Sequence, residues 1–177
     1  MVTIDLITGF LGSGKTTFLK KYAEYLMNQG LHIGILENDF GAINVDMLML
    51  HELRGEQCEL EMIAGGCDAE SHRRRFRTKL ISMRMCGYDR VIVEPSGIYD
   101  VDEFFDVLRE EPLDQWYEIG NVIAILDARL EKDLSEQADY LLASEVANAG
   151  KVILSHADTA TKEQCEDTVA HLNRALE

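Results

Sequence analysis

Near the start of the chain lies the segment Gly9-Phe10-Leu11-Gly12-Ser13-Gly14-Lys15-Thr16-Thr17, which is the strongest indication of the fold. It matches the pattern G-x-x-x-x-G-K-[ST] at every position and follows an apolar run, residues 2–7, that is typical of a β-strand. In this pattern backbone N–H groups surround a phosphate, the lysine approaches the β- and γ-phosphates, and the next hydroxyl binds Mg²⁺. We therefore predict that a nucleoside triphosphate and Mg²⁺ bind here, through Gly12, Ser13, Gly14, Lys15, Thr16 and, near the α-phosphate, Thr17.

Composition restricts the partners of this loop. The chain has 177 residues, the size of one ordinary domain, with 17 basic and 32 acidic residues and a net charge of −15. This charge disfavours nucleic acid and anionic membranes as partners, because both would meet a repulsive field. No leader-like segment and no apolar run of about eighteen residues is present, so we expect a cytoplasmic protein.

Short apolar runs alternate with amphipathic stretches along the chain, which is typical of an α/β fold. The runs predict strands at residues 2–7, 31–36, 59–63, 90–93, 122–126 and 151–154. The stretches between them predict helices at about 14–28, 71–85, 101–109, 134–147 and 161–176. Together with the phosphate-binding loop, this order predicts a P-loop NTPase with a mostly parallel central sheet and helices on both faces.

A second nucleotide motif follows the predicted fourth strand. The segment Val91-Ile92-Val93-Glu94-Pro95-Ser96-Gly97 is a buried strand that ends in an acid, with a glycine three residues later. Such an acid can hold the magnesium shell, and the N–H of Gly97 can approach the γ-phosphate without a side chain in the way. An ordinary exit from a strand into a turn is the alternative interpretation.

A third group of polar residues, Glu37-Asn38-Asp39, follows the predicted second strand. Its position favours Glu37 or Asp39 as a residue of the Mg²⁺ shell or as the residue that orients the attacking water. The alternative is that Asn38 and Asp39 only cap a helix or form a turn.

The segment Ser155-His156-Ala157-Asp158 follows the last predicted strand, where a guanine-specific enzyme carries Asn-Lys-x-Asp. The carboxylate of Asp158 can accept from both N1–H and the N2 amino group of guanine, and adenine offers no matching donors. Asp158 is alternatively the N-cap of the last helix.

The helix predicted from residue 71 carries a run of basic residues. His72, Phe76, Leu80 and Met83 share one face, whereas four arginines, Arg73, Arg74, Arg75 and Arg77, lie mainly on the other faces. These arginines form either a solvated surface, a docking patch, or an arginine donated across a dimer.

Taken in order, the motifs G-F-L-G-S-G-K-T-T, E-N-D-F-G-A-I-N-V-D, I-A-G-G-C, V-I-V-E-P-S-G and V-I-A-I-L-D-A resemble those of the CobW-like metallochaperone GTPases of the CobW/HypB/UreG group. The resemblance covers essentially the whole chain, and in this group a glutamate, here Glu94, replaces the usual Walker B aspartate. It implies GTP hydrolysis that is coupled to delivery of a metal to a client metalloprotein. It also implies GTP and GDP as ligands and a nucleotide-dependent homodimer or client complex.

Two segments depart from the family pattern. Where the family has Cys-x-Cys-Cys after the paired glycines, this chain has Cys67-Asp68-Ala69-Glu70, so only one thiolate remains to hold Zn²⁺ or another transition metal. A mixed site formed by Cys67, Glu70 and His72 is possible, but a Cys67 with no metal role is favoured. In the second departure, His156 replaces the lysine that packs across the base and would have to stack on it instead.

Members of the family usually continue into a smaller C-terminal domain, so we expect residues 1–177 to be the GTPase domain alone. The leading hypothesis is a slow, partner-stimulated GTPase that acts as the switch of a metal-handling or cobalamin-synthesis-like protein. The alternative is a GTP-dependent regulatory scaffold that does not transfer metal. An ATP-using kinase is disfavoured by Glu94, Gly97 and Asp158.

Overall fold

The computed structural model describes residues 1–10, 12–39, 45–64, 68–95, 101–130 and 133–177. Within them lie six strands: β1 (Val2–Thr8), β2 (Ile33–Asp39), β3 (Cys58–Ala64), β4 (Arg90–Glu94), β5 (Tyr117–Asp127) and β6 (Lys151–Ser155). They form one sheet in the order β3-β2-β4-β1-β5-β6, and each pairing between neighbours is parallel. The predicted parallel α/β sheet is therefore confirmed.

Strand β5 begins earlier than the sequence predicts, at Tyr117 instead of residue 122. Its first residues include Gly120 and Asn121, which weaken the apolar pattern. Residues 117–119 nevertheless pair with the start of β1, Val2 opposite Tyr117, and the register shifts between Ile4 and Leu6, opposite Gly120 and Asn121. Pairing with a neighbouring strand thus extends β5 where local preference does not.

The described helices are α1 (Lys15–Asn28), α2 (Val45–Leu50), α3 (Ala69–Arg84), α4 (Val101–Leu108), α5 (Leu113–Trp116), α6 (Glu136–Ala147) and α7 (Lys162–Ala175), with a 3₁₀ turn at His51–Leu53. The five predicted helices are confirmed, whereas α2, the 3₁₀ turn and α5 were not predicted. These three elements are short and have little helical preference of their own, so packing stabilises them through the buried Leu50, Leu53 and Leu113. None of the described helices is long and apolar enough to cross a membrane.

The hydrophobic core lies on both faces of the sheet. Successive strand side chains point to opposite faces, so in β4 Val93 packs with Phe76 of α3 and Phe104 of α4. Its neighbour Ile92 packs with Leu19 of α1 on the opposite face. This arrangement leaves the carboxyl ends of the strands as the edge at which ligands of such sheets bind.

Helix α3 buries the face that the sequence predicts. His72, Phe76, Leu80 and Met83 are its buried residues, so the spacing of four and three is confirmed. The helix begins at Ala69 because the carboxylate of Asp68 caps it and accepts a hydrogen bond from the Ser71 N–H at 2.8 Å.

Candidate nucleotide and magnesium site

The loop between β1 and α1 has a backbone that only glycine adopts readily. Gly9 has φ +141°, and a Cβ there would lie 2.2 Å from the carbonyl oxygen of Ile125 in β5. Gly14 has φ +91° and is the N-cap of α1. Such a left-handed turn before a helix directs backbone N–H groups and the positive end of the helix dipole at an anion. The loop therefore has the geometry of a phosphate site.

Lys15 and Thr16 are the first residues of α1, directly after this loop, and contact the end of β4 and the residue that follows it. Each residue is only 7% exposed. The Lys15 Nζ donates to the carbonyl oxygen of Pro95 at 3.5 Å, and the Thr16 hydroxyl donates to Glu94 Oε1 at 3.2 Å. The structure thus brings together the lysine, hydroxyl and acid that the sequence predicts from two separate motifs.

A hydroxyl and two carboxylates make this edge suitable for Mg²⁺. Glu37 of β2 is the register neighbour of Glu94 of β4, so both side chains lie on the same face of the sheet, and both residues are nearly fully buried. Oxygen donors of this kind are those that Mg²⁺ prefers, so Thr16, Glu37 and Glu94 fit this ion. The Asp39 side chain and Gly97, two other predicted members of the site, lie outside the described part of the structure.

Three further residues of the predicted phosphate site, Gly12, Ser13 and Thr17, differ in their surroundings. The Ser13 N–H donates to the Phe10 carbonyl at 3.0 Å, while the buried Ser13 hydroxyl has no hydrogen-bond partner among the described residues. Space is open beside Gly12, and Thr17 is exposed on the first turn of α1. A buried hydroxyl without a partner is costly, which favours an incoming polar ligand at Ser13.

Glu145 is a buried acid near this loop that the sequence analysis missed. It lies on α6, only 6% exposed, and its backbone carbonyl accepts a hydrogen bond from the Thr8 hydroxyl at 3.4 Å. Burial raises the pKa of Glu145 to about 7, and the positive charge of Lys15 partly opposes this rise. No sequence motif marks this glutamate, because only the packing of α6 against the end of β1 brings it here.

The other end of the site is built from the ends of β5 and β6. The Ser155 hydroxyl donates to the carbonyl oxygen of Ser13, which fastens β6 to the phosphate-binding loop. His156 has φ +54°, and its Nδ1 lies 3.0 Å from Asp127 Oδ2. An Nδ1 that donates to a carboxylate fixes the ring orientation, and in the neutral ring it leaves Nε2 as the acceptor.

Asp127 also holds Arg129, a second residue that the sequence analysis missed. Its Oδ1 accepts from the Arg129 backbone N–H at 2.8 Å and from the Arg129 Nε at 3.2 Å. Burial acts to raise the pKa of Asp127, but the hydrogen bonds from Arg129 and the charges of Arg129 and His156 outweigh it and lower that pKa. The position of Asp127 at a strand end, in the motif V-I-A-I-L-D-A, is the signal that could have found it.

Asp158 is exposed beyond β6, on the same side as Arg129. Hydrogen bonds to Asp127 raise the pKa of Arg129, and the charge of Asp158 adds to this effect. The alternative role of Asp158 as the cap of the last helix is wrong. The N-cap of α7 is Thr161, whose hydroxyl accepts from the Gln164 N–H while the Gln164 side chain accepts from the Thr161 N–H.

Two of the three predicted transition-metal ligands, Glu70 and His72, lie among the described residues and differ in their surroundings. Cys67 lies outside the described residues, and Glu70 is exposed on the first turn of α3. His72 is buried, and its Nδ1 lies 3.0 Å from Glu103 Oε1 of α4. The structure therefore places the His72 ring beside Glu103.

Comparison with known proteins relates this site to one family. The profile of the family described as CobW/HypB/UreG, nucleotide-binding domain, matches residues 3–177. The chain is 28% identical over 186 aligned residues to the zinc chaperone YjiA of Escherichia coli, covering 97% of this chain and 55% of that protein. It is 27% identical over 164 residues to the zinc chaperone YeiR of the same organism, covering 92% of this chain and 49% of that protein. The chain thus spans about half the length of these relatives.

The fold is also that of a solved relative. The crystal structure of Zn(II)-bound YjiA GTPase from E. coli superposes with a TM-score of 0.59 at 21% identity, covering 97% of this chain and 54% of that chain. At this identity the likeness establishes the shared fold.

Proposed function

Because the chain belongs to the CobW/HypB/UreG family, we propose that it is the GTP-binding and GTP-hydrolysing switch of a metal-handling protein. The observation that carries this proposal is the hydrogen bond from the Thr16 hydroxyl to Glu94 Oε1, 3.2 Å long, beside a buried lysine in a phosphate-binding loop. The zinc-chaperone names of the relatives support the metal-handling part.

The proposed reaction is in-line attack of water on the γ-phosphate of GTP. Lys15 places its positive charge where the β- and γ-phosphates accumulate negative charge, so it stabilises the transition state more than the ground state. Thr16, Glu37 and Glu94 would hold Mg²⁺, which supplies further neutralisation of the phosphate oxygens. Asp39 is our candidate for orienting the water, and the Gly97 N–H is our candidate for sensing the γ-phosphate.

Guanine selectivity is proposed to depend on Asp158 and His156. The Asp158 carboxylate would accept from N1–H and the N2 amino group, which only guanine presents together. His156 would stack its ring on the base, since Asp127 holds that ring in one orientation at 3.0 Å.

The proposed metal cargo is Zn²⁺ or another transition metal. It would be held by Cys67, Glu70 and His72 before transfer to a client metalloprotein. The His72 Nδ1 lies 3.0 Å from Glu103, which would leave the Nε2 atom to bind the metal. The second candidate function, a GTP-dependent regulatory scaffold that carries no metal, is favoured by Ala69 and Glu70, which stand where the family has cysteines. A nucleotide-dependent homodimer and a cytoplasmic location also stay predictions.

Single-turnover hydrolysis tests the proposal directly. Enzyme in excess over GTP with Mg²⁺ should release phosphate slowly, whereas EDTA should stop the reaction and ATP should not replace GTP. Phosphate release from GTP no faster than in buffer, at saturating enzyme and with any tested divalent cation, would favour the scaffold over the enzyme.

Zinc binding separates the two candidate functions. Because only Cys67 remains of the family's thiolates, we expect weak Zn²⁺ binding in equilibrium dialysis, and we expect cysteines introduced by Ala69→Cys and Glu70→Cys to strengthen it markedly. One tight equivalent of Zn²⁺ in the unmodified chain, lost in Cys67→Ala, would instead establish a mixed site and favour metal transfer.

A further inference from the structure

Two arginines of the basic helix α3, Arg73 and Arg77, contact the segment that follows α4. Arg73 Nε donates to Glu110 Oε1 at 3.2 Å, and Arg77 Nε lies 3.1 Å from Glu110 Oε2. Arg77 also donates to the carbonyl oxygen of Glu111 at 2.9 Å. These two arginines therefore fasten α3 to the segment between α4 and α5 and serve the fold.

The other two arginines face a groove. Arg74 and Arg75 are exposed, and with Lys79 they line a cavity of about 450 Å³ between α3 and β3. Met62 and Ile63 of β3 supply its apolar lining. A groove with apolar lining and a row of cations along one side matches a partner that is itself both apolar and acidic.

The groove runs along an edge of the sheet. Strand β3 is last in the strand order, and from Glu59 onward the described residues pair it with β2 alone. An edge strand presents backbone N–H and C=O groups that another extended chain can pair with. The groove therefore offers backbone hydrogen bonds on one side and cationic side chains on the other.

The charges along the groove favour a negatively charged partner. On the β3 side, Glu61 is ion-paired with Lys79 at 2.5 Å, and Glu59 accepts a hydrogen bond from the Tyr88 hydroxyl at 2.6 Å. On the α3 side, Arg74 and Arg75 supply positive charge, and the charge of Asp68 acts on Arg74. The chain as a whole carries −15, which disfavours a long nucleic acid. The two arginines therefore favour an acidic segment that is short enough to contact only this groove.

The spacing also fits an extended segment. Successive turns of a helix place residues four apart about 6 Å from each other, and alternate residues of a strand lie about 6.7 Å apart. Acidic or polar side chains at alternate positions of an added strand would therefore meet Arg74 or Arg75 on one turn. On the next turn they would meet Thr78, which lines the same groove, or Lys79.

We propose that the groove between β3 and α3 docks an extended acidic segment of a partner protein, which adds as a strand to β3 and places carboxylates against Arg74 and Arg75. This surface is separate from the nucleotide loop, so the proposal does not depend on GTP hydrolysis. It assigns the docking contacts to Arg74 and Arg75 because both are exposed and line the groove.

The test uses a fluorescein-labelled peptide of alternating glutamate and valine and measures anisotropy against the whole chain. We expect saturable binding that weakens as salt is raised, and at least tenfold weaker binding for a peptide of equal charge whose alternation is broken by prolines. In Arg74→Glu/Arg75→Glu, affinity should fall at least tenfold. The milder Arg74→Ala/Arg75→Ala should lower it at least threefold, with unfolding curves checking that both variants fold.

The matched control is Arg109→Glu/Lys162→Glu, which changes the net charge equally at residues 77% and 91% exposed elsewhere. Its affinity should stay within twofold of the unmodified chain. Hydrogen exchange of the β3 amides should slow when the alternating peptide binds. An equal loss in the control variant, unchanged β3 exchange, or no saturable binding would overturn the proposal. Equal binding of single-stranded DNA with the same loss in the arginine variants would reassign the groove to polyanions and would also overturn it.

Discussion

The candidate nucleotide site has a phosphate end, at Lys15 and Thr16, and a base end, at His156 and Asp158. The two ends differ in how deeply their side chains are buried. At the phosphate end Lys15 and Thr16, the first residues of α1, are each 7% exposed and contact Pro95 and Glu94 at the end of β4. At the base end Asp158 is exposed, and the His156 side chain is 39% exposed and depends on Asp127 for its orientation.

This difference in burial indicates that the phosphate end contributes mainly to nucleotide affinity and the base end mainly to base selectivity. Buried charges and hydroxyls in a rigid loop bind phosphate strongly, since they pay little ordering entropy when the ligand arrives. Exposed groups at the base end are screened by water and discriminate less. We therefore expect binding of this chain to depend mainly on the phosphates, with base selectivity sensitive to small changes around Asp127.

The largest expected effect is at the phosphate end. Lys15→Ala should lower single-turnover GTP hydrolysis at least about a hundredfold, because it removes a positive charge that stabilises the transition state. Lys21→Ala, an exposed lysine on the same helix, is the matched control and should leave the rate unchanged. Equal rates for Lys15→Ala and the unmodified chain would contradict the assignment of the loop.

A smaller effect is expected at Asp158, the residue that we propose contacts the guanine base. Asp158→Asn should weaken GDP binding about tenfold or more in calorimetry, since an amide loses one of two acceptor contacts with guanine. The new amino group should instead favour xanthosine diphosphate, whose base has a carbonyl at that position. Tight ADP binding by the unmodified chain would show that this end does not read guanine.

A still smaller effect is expected at Asp127, which orients the His156 ring at the base end. Asp127→Asn should weaken GDP binding about fivefold, which corresponds to about 1 kcal/mol, the typical net contribution of one hydrogen bond. Inorganic tripolyphosphate, which contacts only the phosphate end, should bind equally well to both forms. The exposed Asp114→Asn serves as the control. Equal losses for GDP and tripolyphosphate would mean that Asp127 supports the whole site instead of the base end.

The smallest change in nucleotide binding is expected at Glu145, whose substitution should instead change stability. Burial raises its pKa from 4.5 to about 7, so between these values the folded state holds a proton that the unfolded state has released. The stability that this proton linkage contributes is complete below about pH 4.5 and falls as pH rises through about 7, by up to about 3 kcal/mol.

Glu145→Gln removes the titrating group. The free energy of unfolding, measured in urea at about pH 5.5, 7 and 8, should decline with pH in the unmodified chain more steeply than in the variant. At about pH 8 the variant should be the more stable form. Parallel pH profiles would mean that Glu145 is not buried beside the phosphate-binding loop.

Much of the fold follows from local sequence. The apolar runs located all six strands, and spacings of four and three located the buried face of α3, because burial on one side imposes a period that the sequence must carry. Short elements such as α2 and α5 were missed, since one or two turns carry too few residues to show a period. The early start of β5 was missed because pairing with β1, and not its own residues, extends that strand.

The phosphate end could be located from local sequence, since Gly9, Gly14, Lys15 and Thr16 are contiguous or nearly so and their backbone geometry is local. The distant groups that join them depend on the tertiary structure. Glu94 meets Thr16 because β4 lies beside β1, and Asp127 meets His156 because β5 and β6 pair in register. Glu145 lies near Lys15 because α6 packs against the end of β1. Contacts of this kind depend on strand order and helix packing, which a local pattern does not encode.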